Sequence, residues 1–150
     1  MQRKDLEIAK FRLSNQKLSL VIVKKGNVIF ETKKQGITGL LEAIEIFEEN
    51  LISSSIADKI VGVAAAMLCV YSGISSVFAI TISESGMKLL KENNIHCEYS
   101  KKVNNILNRT KTNVCPFEKL AINSIDPENA YKNLKSFADQ IAKKAEVSEC

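Results

Sequence analysis

The chain has 150 residues, 45% of them hydrophobic and 25% charged, which suits one ordinary globular domain with a single core. A net charge of +4 spread over short pairs such as Lys24-Lys25, Lys33-Lys34, Lys101-Lys102 and Lys143-Lys144, with 6% aromatics and no Trp, argues against a nucleic-acid partner. The longest uncharged stretch, residues 60–83, mixes Gly, Ser and Thr into its second half and so reads as helix, turn and strand rather than a membrane span.

Residues 1–14 carry Arg3, Lys4, Asp5 and Glu7 and have no apolar signal core, so a cytoplasmic protein is expected. Cys69, Cys97, Cys115 and Cys150 show neither disulfide-scaffold nor zinc-ribbon spacing, which points to reduced thiols. Residues 5–16 have amphipathic character through Leu6, Ile8, Ala9 and Leu13 and predict an N-terminal helix. Residues 18–23 and 28–32 read as strands of a β-hairpin, with Gly26-Asn27 as its two-residue turn. Residues 38–51 place Leu40, Leu41, Ile44, Phe47 and Leu51 at helical spacing, with Glu42, Glu45, Glu48 and Glu49 elsewhere, as in a surface helix.

Residues 57–71 are apolar almost all round and predict a helix in the middle of the structure. Its approach runs from Ser53-Ser54-Ser55 to Asp58-Lys59 and then turns abruptly to small residues. Such a junction fits a buried helix whose N-terminus, with its unpaired N–H groups and partial positive charge, opens into a pocket. Residues 77–82 read as a strand covered on both faces, 84–92 as a helix ending at Asn93-Asn94, and 95–99 as a further strand. Helix, strand, helix, strand in this order is an α/β crossover unit with parallel strands. Beyond a basic, Asn-rich segment, Cys115-Pro116-Phe117-Glu118 starts a short helix to about Ile122, with Glu118 where a capping-box carboxylate falls. Asp126-Pro127-Glu128 opens the last helix, striped by Ala130, Leu134, Phe137, Ala138, Ile141 and Ala145, and the tail after about Val147 reads as disordered.

Ala57-Asp58-Lys59-Ile60-Val61-Gly62 with Ala64-Ala65-Ala66, Ile82-Ser83-Glu84-Ser85, Asn108-Arg109 and Cys115-Pro116-Phe117-Glu118 resemble the DUF1893 family over residues 18–131. That is a bacterial and archaeal family of unknown function in the cytidine-deaminase-like superfamily. The resemblance implies a three-layer α/β/α fold, a mixed sheet begun by the hairpin and a site position, allows a homodimer, and brings no activity with it. Deaminases of this fold start one helix with His-x-Glu or Cys-x-Glu and the next with Pro-Cys-x-x-Cys, supplying three zinc ligands and a general acid/base. On that frame Ala57-Asp58-Lys59 takes the first helix start and Ser83-Glu84-Ser85 the second, without the zinc ligands, and His96 lies beyond both. No metal or other cofactor is therefore expected.

Cys115, at a helix start, is the leading candidate nucleophile or redox thiol, because the dipole and N–H groups there lower a thiol pKa. A plain position beside Pro116 is the other reading. Asp58 and Glu84 are candidate proton carriers, Glu84 from the strand end where open α/β sheets bind ligands. Each also reads as a first-turn acid favoured by the helix dipole, with Ser83 as an N-cap before Glu84. Lys59 at a helix start invites a bound anion, Ser55, Ser83, Ser85 and Asn108 would add hydrogen bonds, and Arg109 would clamp a carboxylate or phosphate. Solvated side chains are the alternative. His96 reads as a strand residue paired to a neighbour, and Cys69 as buried and inert. The expected function is binding of a small anionic, nucleoside- or nucleotide-like metabolite at helix N-termini, with metal-independent cysteine chemistry. A non-catalytic binding or sensor module is the alternative, and a zinc deaminase with atypical ligands the third.

Overall fold

In the computed structural model, which describes residues 2–108 and 110–143, helix α1 (Gln2–Gln16) precedes a hairpin of β1 (Leu20–Lys24) and β2 (Asn27–Thr32). The turn falls one residue earlier than the spacing predicts. Lys25 and Gly26 occupy it with φ of 50° and 79°, the left-handed pair that a tight hairpin turn requires. Buried Asp5 of α1 holds this turn, its carboxylate accepting from the backbone N–H groups of Lys25 (3.0 Å) and Gly26 (2.9 Å).

There follow α2 (Thr38–Phe47), a 3₁₀ turn at Glu48–Leu51, β3 (Ser55–Val61), α3 (Val63–Ser72), β4 (Ser76–Ser83), α4 (Glu84–Glu92) and β5 (His96–Val103). Two helices close the described chain, α5 (Pro116–Ile122) and α6 (Pro127–Lys143). The helix predicted over residues 57–71 is therefore two elements, a strand and a shorter helix. Ile56, Ile60 and Val61 are β-branched, and their segment is paired on both sides, antiparallel to β1 and parallel to β4. A continuous apolar run cannot by periodicity distinguish such a strand from a buried helix. Gly62 alone separates β3 from α3.

The sheet order is β2-β1-β3-β4-β5, with β1 antiparallel to both neighbours and β3, β4 and β5 mutually parallel. On one face α1 buries Ala9 and Leu13 against Val21, Val23 and Ala57. On the other, Ile22, Ile56, Val77 and Ile82 meet Leu40 of α2, Leu68 of α3, Leu90 of α4, Phe117 of α5 and Leu134 of α6. This is the three-layer α/β/α arrangement with a mixed sheet that the family resemblance implies. Small residues Ala64, Ala65 and Ala66 let α3 lie close to its neighbours and are fully buried. No helix among the described residues is long and apolar enough to cross a membrane.

Candidate functional site

The strand-to-helix switch at Gly62 defines the site. α3 begins Val63-Ala64-Ala65, with no acidic residue in its first turn and no side-chain cap of its own. Its first N–H groups find their acceptor far along the chain, in Glu118 of α5. Oε2 of Glu118 accepts from the Val63 N–H at 2.8 Å and the Ala64 N–H at 3.3 Å. Glu118 therefore caps α3, whereas the sequence spacing assigns it to the start of its own helix. Burial pushes its carboxyl up to about 7, while the two backbone N–H bonds pull the other way. Gly62 makes the approach possible. A Cβ there would overlap Oε1 of Glu118 and stand 2.8 Å from Cγ1 of Ile106.

Beside the carboxylate lies a cavity of about 20 Å³, walled by Gly36 and Ile37 before α2, by Gly62 and Ala65, and by Cys115 and Glu118. It has room for about one water molecule. The helix starts that share a cavity are thus those of α2, α3 and α5. This corrects the expected frame of residues 57–59 and 83–85, because Asp58 and Lys59 belong to a strand. Residues 83–85 open α4, where Ser83 Oγ accepts from the Gly86 N–H at 3.0 Å as an N-cap. Glu84 and Ser85 are exposed.

Asp58 lies mid-strand between Leu20 of β1 and Ala79 of β4 and is 8% exposed. Burial pushes its carboxyl up to about 7 against hydrogen bonds from the backbone of Ile60 (3.4 Å) and Lys59. A second cavity, of about 200 Å³, is lined by Asp58 with Ser19, Gln35, Gly36, Lys59 and Ile60. It adjoins the first, since Gly36 and Ile60 wall both. Lys59 is exposed on an extended segment, so no cation opposes a helix dipole there and that argument for an anion falls away.

The remaining candidates divide. Cys115 does line the cavity at the helix starts, 1% exposed, but its sulfur is disulfide-bonded and offers no thiolate for attack. Ser55 shares a 2.6 Å hydrogen bond with Ser76 at the far end of β3, about 20 Å from Gly62 at the usual rise per residue. Asn108 organises its own loop, accepting from Thr112 N–H (3.1 Å) and Thr110 Oγ1 (3.2 Å). Arg109, Cys150 and the predicted tail lie outside the described residues. His96 pairs with Glu98 at 2.8 Å and Cys69 is buried, as expected. Glu118 was the residue that local spacing misassigned. The signal for its partner is a buried helix start with no capping residue of its own, at Gly62-Val63-Ala64.

A wider groove of about 570 Å³ lies at the opposite end of α3, lined by Glu45, Glu48, Glu49 and the stacked pair Tyr71 and Tyr131. It shares no residue with the two cavities above. A deaminase-type zinc does not fit the helix starts. Thr38-Gly39-Leu40 and Val63-Ala64-Ala65 supply no zinc ligand, and among the described residues no group of three His, Cys, Asp or Glu is placed to hold a metal.

The family model described as TM1506, a domain of unknown function (DUF1893), matches residues 8–138. The chain belongs to the DUF1893 family. A DUF1893 family protein from Thermotoga maritima superposes on it with a TM-score of 0.82 at 31% sequence identity, covering 91% of each chain. Acinetobacter baumannii RibD (form 1) gives a TM-score of 0.50 at 16% identity, covering 67% of this chain and 36% of RibD, a likeness of fold alone. An apo dCMP deaminase from the cyanophage S-TIM5 gives 0.47 at 10% identity, over 68% of this chain and 96% of that one. No curated protein matches the chain. The DUF1893 domain here thus has an α/β fold like that of its Thermotoga maritima relative, shared in part with RibD, while its helix starts carry Gly, Ala and a capping glutamate from another helix.

Proposed function

We propose that this DUF1893 domain binds a small anionic metabolite, nucleotide-like or a carboxylic acid, on the first amides of α3 in place of the Glu118 carboxylate. The observation that carries the reading is the pair of hydrogen bonds from Val63 and Ala64 to that carboxylate. Backbone N–H groups at a helix start already hold an oxyanion, and a ligand phosphate or carboxylate is its chemical equivalent. With Glu118 turned inward the adjoining space of about 20 Å³ is too small for a metabolite. Binding therefore requires the Glu118 side chain to swing out, opening toward the cavity of about 200 Å³ next to it. The disulfide at Cys115 favours binding without cysteine catalysis, the sensor-module form of the reading.

Thermal unfolding of the whole chain against nucleoside monophosphates and small dicarboxylates tests this. At about a hundredfold excess over Kd, a ligand raises the midpoint by roughly 5–10 °C for a domain of this size. Glu118→Ala, lacking the internal competitor, responds at lower ligand concentration than the wild type. Midpoints that stay unchanged across the panel in both proteins remove the reading.

A further inference from the structure

We infer that the cavity over Asp58 is a binding site for a small cationic nitrogen group, an amine or amidinium, which donates N–H hydrogen bonds to the Asp58 carboxylate and the Ser19 hydroxyl. The cavity is the one toward which the preceding reading opens, but the inference turns on Asp58 and Ser19, which that reading does not use, so the two are tested separately. An ionised carboxylate has about four acceptor positions. Among the described residues Asp58 is met only by backbone N–H groups, that of Ile60 at a long 3.4 Å and that of Lys59, which itself donates to the Ser19 carbonyl at 3.0 Å, and no side chain donates to it. A buried carboxylate so poorly supplied is costly, and an entering cation is the partner that relieves it.

Ser19 points the same way. Its Oγ donates to the Lys33 carbonyl at 3.1 Å, so its proton is committed and only its lone pairs remain. Two acceptors on one cavity complement a group that only donates, as ammonium and amidinium do. The space of about 200 Å³ is below the range of roughly 300–1,000 Å³ common for whole-ligand pockets, and so suits a head group of a few heavy atoms. The titratable groups around Asp58 do not meet this need. Lys59, the next residue on β3, is exposed and in no ion pair among the described residues. Cys69 of α3 is a buried thiol pushed up by its own burial and by Asp58. The strand neighbours are Leu20 and Ala79, and Glu118 stands in the adjoining cavity.

The test is a titration of the whole chain with acetamidinium, followed by the backbone amide NMR signals of Lys59 and Ile60. Acetamide and acetate serve as the neutral and anionic isosteres. The expected result is saturable shifts of both signals near pH 8, with affinity about tenfold weaker near pH 5.5, where the carboxyl is protonated. Acetamide and acetate give no saturable shift, Asp58→Asn abolishes the response, and Glu118→Gln retains it. The inference is overturned by a response of equal strength to acetamide, by one that persists in Asp58→Asn, or by none to acetamidinium near pH 8. Should Asp58→Asn fail to fold, the comparison of the two pH values and of the three isosteres decides alone.

Discussion

The carboxylate of Glu118 occupies the space in which a side chain at Gly62 would lie. One residue's missing Cβ and another's acid thus jointly form the start of α3, although β4, α4 and β5 separate α3 from α5 in the chain. Gly62→Ala is expected to force Glu118 off the amides of Val63 and Ala64, destabilising the fold by about 1–3 kcal/mol through the lost cap and hydrogen bonds. Urea unfolding measures it. Glu118→Ala removes the same bonds, so the double variant loses less than the two single losses together. Strict additivity would show that the two residues are not energetically coupled.

Stability should fall as the solution is made alkaline through neutrality. Asp58 and Glu118 have ordinary values of 3.8 and 4.5 and titrate at about 7 in the fold, raised mainly by burial. Between those limits the folded state binds more protons than the unfolded chain, so the free energy of unfolding declines with rising pH. Glu98 acts in the opposite sense. His96 and Lys10 hold its carboxyl low, and what it contributes is lost only on further acidification, while its partial exposure keeps the effect small. The unfolding free energy is therefore expected to be greatest near about pH 4, at the ordinary values of these carboxyls, and to drop by a few kcal/mol toward about pH 8. Asp58→Asn flattens this slope and raises stability on the alkaline side. A profile that rises across this interval would contradict the burial argument.

Asp5 offers a third measurement, at the opposite end of the sequence. Its carboxylate ties α1 to the hairpin through the N–H groups of Lys25 and Gly26, and it is 4% exposed. Asp5→Ala leaves two part-buried donors without their acceptor and should cost about 1–3 kcal/mol. Amide exchange should quicken first in α1 and the turn, since these are the elements joined.

Elements bounded by strong local punctuation were legible in the sequence. Gly26 marked the hairpin to within a residue, Asn93-Asn94 ended α4, and Pro116 and Pro127 opened α5 and α6. The β3–α3 segment was not legible, because Ile56 to Ala66 is nearly uninterrupted apolar sequence and only its pairing with β1 and β4 makes the first half extended. That one error moved Asp58 and Lys59 from a helix start to a strand, and with them the expected centre. Glu118 was visible as a cap but not as the cap of α3, since its partners are 54 and 55 residues away. Local spacing carries no information on such a contact. Cys115 lines the cavity beside Glu118, but the cysteine spacing points to reduced thiols, whereas its sulfur is disulfide-bonded.

Ser83 and Glu84 separate a structural helix start from a binding one. Ser83 is 3% exposed and its Oγ accepts from the Gly86 N–H, whereas Glu84 stands in solvent in the first turn of α4. Ser83→Ala should therefore cost about 1 kcal/mol, the usual loss of an N-cap. Glu84→Gln should change stability by less than about 1 kcal/mol, its role being limited to the helix dipole. Neither substitution should alter the midpoint rise proposed above for nucleotides or dicarboxylates at α3, because neither residue lines the cavity beside Glu118. Thermal unfolding of both variants with and without ligand reads all three quantities at once. Loss of the ligand response in Glu84→Gln would move the centre from the α2–α3 junction to the start of α4.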